Sequence, residues 1–138
     1  MKVILFKSVS VGDILHALTI GMWQFGSNGK SGPVGYKTPP GSAVLIKCME
    51  NDYWYPLGLT KGNPETIPQD TADINWPSFE DMGKPKDYVA QVKFCSRVGP
   101  VKRYEEDVLT NMLGDLSKYK IAGVLDNVGD NTIIELLA

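Results

Sequence analysis

The chain has 138 residues, 43% of them apolar, and its 14 Lys and Arg stand against 16 Asp and Glu for a formal charge of −2. That length and apolar share predict one domain over residues 1–138 with a core of its own, and no apolar run approaches the length that spans a membrane. The acidic balance argues against a non-specific nucleic-acid binder, whose affinity comes almost wholly from neutralised phosphates.

Val3, Ile4, Leu5 and Phe6 open a strand that turns polar at Lys7 and Ser8, and Lys7 breaks the apolar run too early for a signal-peptide core. Asp13 then stands where an N-cap is expected. Ile14, Leu15 and Leu18 form a short apolar stripe, and Gly21 stops the helix. Trp23 follows close behind Gly21 and is predicted to show a ring face near the end of an element, as is Trp76 beside Pro77. His16, off the apolar stripe and without partners at ligand spacing, reads as a surface histidine.

Residues 26–42 hold too many Gly and Pro for regular structure and read as a long loop. The stretch Gly26 to Gly32 contains Gly-Lys-Ser, but its first glycine is misplaced for a phosphate cradle and no strand leads through it into a helix. Ala43 to Met49 is a buried strand, Glu50-Asn51-Asp52 a turn, and Tyr53 to Lys61 the returning strand of a hairpin. Within Tyr53-Trp54-Tyr55 the alternation of faces predicts at least one exposed ring, either an edge aromatic of the core or a stacking surface for nucleotides.

Gly62 to Pro85 is a second long loop and carries Trp76; Tyr88 to Phe94 alternates as a strand with one core face. Val108, Leu109, Met112, Leu113 and Leu116 space a helix over Glu105 to Tyr119, whose opening acids suit the macrodipole. Val124 to Leu137 reads as two short strands around a turn at Asn127 to Asn131. Lys84, Lys86, Lys93, Arg97, Lys102 and Arg103 make one stretch locally basic. Cys48 and Cys95 set up no disulfide framework and point to a reducing, cytoplasmic setting. The sum is an α+β fold: a strongly curved mixed β-sheet or small barrel of about five or six strands, with two helices packed outside.

Lys7-Ser8-x-Ser10-x-x-Asp13-Ile14, followed by Ile20 and Trp23, matches without a gap the opening motif of YTH domains, readers of N6-methyladenine. Ile74-Asn75-Trp76 resembles their second, less specific signature. YTH domains belong to the PUA-like and EVE-like group of nucleobase readers, and in element order the resemblance covers nearly the whole chain. It implies a binding module and not an enzyme, with no cofactor or metal, that takes a flipped base from methylated DNA or RNA into an aromatic cage. Trp23 and Trp76 would be its walls, with Pro77, Phe79 and Met82 as alternatives for the third. The Asp13 side chain, the Val9 main chain and the Gln24 carbonyl would read the base edge, and Lys7 would meet a phosphate. Asp13 could serve as cap and reader together.

Ser8 and Ser10 match the motif and shape the strand end, and Asn51 is a weaker candidate for touching base or sugar. Val9 departs from the family, which has a polar or aromatic residue there, so base specificity is less firmly implied than stacking. Related domains stand at the front of McrBC-type restriction proteins, which makes further domains of a longer protein an expected partner; a single-domain protein fits equally. Three other readings share parts of this outline: an EVE-like reader of modified cytosine, an ASCH-like nucleoside amidohydrolase, whose Lys-Thr-Glu constellation no motif here groups, and a protein-interaction module anchored by its Trp residues.

Overall fold

The computed structural model describes residues 1–8, 11–26, 39–66, 88–94, 101–119 and 122–138. In chain order these form β1 (Val3–Ser8), α1 (Val11–Ile20), β2 (Met22–Gly26), β3 (Ala43–Cys48), β4 (Trp54–Thr66), β5 (Tyr88–Phe94), α2 (Glu106–Leu113), β6 (Ala122–Leu125) and α3 (Asp130–Leu137). The strands make one mixed sheet in the order β2-β5-β4-β3-β1-β6. β1 and β3 are parallel, and every other neighbouring pair is antiparallel. The fold is therefore α+β, and among the described residues β2 and β6 are the two edges of the sheet.

Both faces of the central strands are covered, which is why Val3 to Phe6 and Ala43 to Ile46 are buried without a break instead of alternating. Ile4, Phe6, Val44 and Ile46 share one core with Ile14 and Ala17 of α1 and with Trp23. Val3, Leu5, Leu45 and Trp54 share the other with Leu109 of α2 and with Ile133 and Leu136 of α3. Cys48 is buried as a free thiol; Cys95 lies outside the described residues.

Several sequence expectations need correction. Asp13 is not the N-cap of α1, because the helix already begins at Val11 and Asp13 sits inside its first turn. Gly21 does end that helix, at φ 73° with its N–H on the Ala17 carbonyl at 2.8 Å, but Leu15 is exposed and Ala17 takes its place in the core. β4 does not stop at Lys61. It continues to Thr66 because its ladder with β5 shifts register between Lys61 and Glu65, and Gly62 takes a left-handed φ of 71° there.

α2 is shorter than Glu105 to Tyr119. Gly114, at φ 91° with its N–H on the Thr110 carbonyl, ends it, and Leu116 reaches the core from outside the helix. The last segment is a third helix where a closing strand was expected: Ile133 and Leu136, three apart, bury one face of α3 while Ile134 stays exposed.

β6 approaches the Tyr119 ring so closely that a Cβ on Gly123 would lie 1.9 Å from its Cδ1. Gly123→Ala is expected to force the ring out of its place against the α2–α3 core and to cost about 1–3 kcal/mol, as overpacking does. Urea denaturation measures this, and combining the change with Tyr119→Ala should recover part of the loss.

Candidate functional site

β1 loses its apolar character at Lys7, which is partly exposed near the end of the strand, and α1 begins at Val11. Alternation sends Lys7 to the face opposite Phe6, and in the parallel ladder it lies beside Lys47. Phe6 meets Trp23, with ring centroids 5.4 Å apart and planes inclined at 54°. Trp23 is 6% exposed, so its ring lies within the core cluster and does not show the open face that its neighbours in sequence suggested. Asp13 is only 4% exposed, in the first turn of the helix whose Ile14 and Ala17 belong to the same cluster as Trp23. The structure thus gathers Phe6, the first turn of α1 and Trp23 on one side of the sheet, and leaves Lys7 on the other, beside Lys47.

Gln24 follows in β2, opposite Gln91 of β5, and Ser8 stands opposite Cys48. Val9, Ser10, Trp76 and Met82 lie outside the described residues, as do Pro77 and Phe79. The described strands on either side of the segment bearing Trp76 are β4, whose last residue Thr66 pairs with Ala90, and β5, whose first residue Tyr88 pairs with Gly26 at the far end of Trp23's own strand.

Asn51 is brought close to the end of β1 by the β3–β4 turn, but both ends of its amide are engaged. Its Oδ1 accepts the Tyr53 N–H at 3.1 Å and its Nδ2 donates to the Tyr55 hydroxyl at 2.9 Å. Of the aromatic triplet, Trp54 and Tyr55 are core residues at 1% and 4% exposure, and only Tyr53 is partly open. The Arg103 guanidinium lies 4.1 Å from the centre of the Tyr53 ring.

Sequence reasoning missed a second feature, an open hollow of about 370 Å³ between the β3–β4 turn and the start of α2, lined by Lys47, Asn51, Asp52, Tyr53 and Glu105 to Asp107. Glu106 is its hub, for its Oε1 receives both the Lys47 ammonium and the Trp54 indole N–H at 3.3 Å. The acids of α2 could be read in sequence as partners of the macrodipole, but only the sheet topology shows that they face the hairpin turn. So many carboxylates make this hollow repel phosphate. Among the described residues no cluster of three or more His, Cys, Asp and Glu is arranged to hold a metal ion, and no helix is long and apolar enough to cross a membrane. No family model matches the chain, and no curated protein matches its sequence.

Proposed function

We propose that this chain is a reader of a modified base, N6-methyladenine in DNA or RNA, with the strongly curved YTH-like and PUA-like architecture that its opening motif resembles. The observation that carries this reading is the placement of a nearly buried carboxylate, Asp13, on the same side of the sheet as Trp23, at the point where the Lys7 to Asp13 motif leaves β1. A flipped base needs flat walls for its faces and hydrogen-bonding groups for its edge, and the motif supplies one of each. Stacking contributes about 1–3 kcal/mol per base while extrusion from a duplex costs a few kcal/mol, so one wall does not suffice. Trp76 is the second wall in this reading. Curvature is favoured by the register shift in β4 and by the one in β2 between Phe25 and Gly26, since bulges bend strands.

Trp23 is 6% exposed, so its ring must be uncovered before a base can stack on it. Binding therefore includes a local rearrangement, and association is slower than on an open platform. The test is a panel of one short strand carrying adenine, N6-methyladenine, cytosine or 5-methylcytosine, each as DNA and as RNA, titrated at fixed salt. Preference for N6-methyladenine supports the proposal. Preference for 5-methylcytosine turns it toward the EVE-like alternative, and indifference to all four defeats both.

Few phosphate contacts accompany an acidic chain, about two to four, so the slope of log affinity against log salt is expected to be shallow. Lys7→Ala should weaken methylated and unmodified strands alike and reduce that slope by about one contact. An effect confined to the methylated strand would contradict a phosphate role for Lys7.

A further inference from the structure

The first turn of α1 is held by a residue from another part of the chain. Its Val11 N–H donates to Oε1 of Glu50 at 2.8 Å, across 39 residues of sequence. Helix-opening amides have no partner within their own helix, and a carboxylate there gains from the hydrogen bond and from the macrodipole together. Glu50 belongs to the β3–β4 turn, which is itself pinned. The Asp52 N–H reaches the Cys48 carbonyl at 2.9 Å, and Asn51 ties the Tyr53 N–H to the hydroxyl of Tyr55. Tyr55 is 4% exposed and shares the core of α1 and Trp23. The carboxylate that meets α1 is thus mounted on a turn anchored in the same core that Trp23 occupies.

We propose that Glu50 is a positioning residue for Asp13: by holding the Val11 N–H it fixes the first turn of α1, and with it the height at which the Asp13 side chain presents itself to a base edge. This rests on the base-reading role proposed above. Hydrogen bonds weaken steeply as their angle departs from linear, so a frayed first turn would blunt discrimination between bases while leaving contacts to phosphate as they were.

The experiment compares the wild-type chain with Glu50→Ala and Glu50→Gln. Each is titrated with the N6-methyladenine strand and its unmodified twin, and amide hydrogen exchange at Val11 is followed without nucleic acid. Glu50→Ala is expected to lose protection at Val11 and to bind the methylated strand about threefold to tenfold more weakly, the scale of one lost capping bond. Affinity for the unmodified strand should hold. Glu50→Gln keeps an oxygen acceptor for the same N–H and should restore most of both. Unchanged protection in Glu50→Ala overturns the brace. Lost protection with an unchanged ratio of affinities overturns the positioning role, since the bond then serves only the fold. A wild-type chain that does not distinguish the two strands defeats the base-reading role itself, a failure separate from the state of the Val11 amide.

Discussion

Trp23→Ala is expected to lower the folding stability by about 3–5 kcal/mol, the range for truncating a buried large aromatic. Its ring is 6% exposed, belongs to the core shared by β1, β3, β4 and α1, and lies 5.4 Å from the Phe6 ring. Domains of this size have about 5–15 kcal/mol of stability in all, so the loss takes a large share and would unfold a marginal protein. The stacking term that the same residue would contribute to base binding is smaller, about 1–3 kcal/mol. Loss of binding by the Ala variant alone therefore does not identify a cage wall. Trp23→Phe keeps a flat ring and more of the contact with Phe6. It should stay folded and still bind a methylated strand, more weakly than wild type. Urea denaturation of both variants decides the first point: an Ala variant as stable as wild type would mean that the ring contributes little to the core, and titration of the Phe variant addresses the second.

The elements legible in sequence were those that local chemistry determines. β1, the β3–β4 hairpin and β5 follow from apolar runs bounded by turn residues, and the Gly21 stop follows from the left-handed backbone that glycine adopts there. The misread elements depend on partners distant in sequence. Gly62 and Pro64 look like the start of a loop until β5 is placed alongside, where a shift of register accommodates them within β4. Ile133 and Ile134 favour a strand by residue type, but α3 forms because Ile133 and Leu136 have a core to enter on the face that Val3, Leu5 and Trp54 present. Trp23 was legible as part of a motif and illegible as a neighbour of Phe6, for nothing local brings two strands that are not adjacent in the sheet into contact. The same holds for the bond between Glu50 and Val11, which closes a long loop through a side chain.

Asp13→Asn separates a structural carboxylate from a reading one, and it is expected to tighten binding of the N6-methyladenine strand by about tenfold. Asp13 is 4% exposed within the first turn of α1, where a negative charge favours the helix by about 0.3–1 kcal/mol. Asn has the same shape, keeps one acceptor oxygen and removes a charge from a nearly buried position, so the two effects on stability oppose each other and the melting temperature should hardly move. At the base edge they do not oppose. There the carboxylate can accept the N6–H, whereas the Asn amide keeps one acceptor oxygen for it and can also donate to ring N1, itself an acceptor, and a new hydrogen bond is worth about 0.5–1.5 kcal/mol. Removing a negative charge near incoming phosphates adds to the gain, most strongly at low salt. Calorimetric titration of both proteins with one methylated oligonucleotide at two salt concentrations measures the sum. The salt-independent part reports the hydrogen bond and the salt-dependent part the charge. Equal affinities would leave Asp13 with a structural role in the first turn of α1 and remove it from the proposed site.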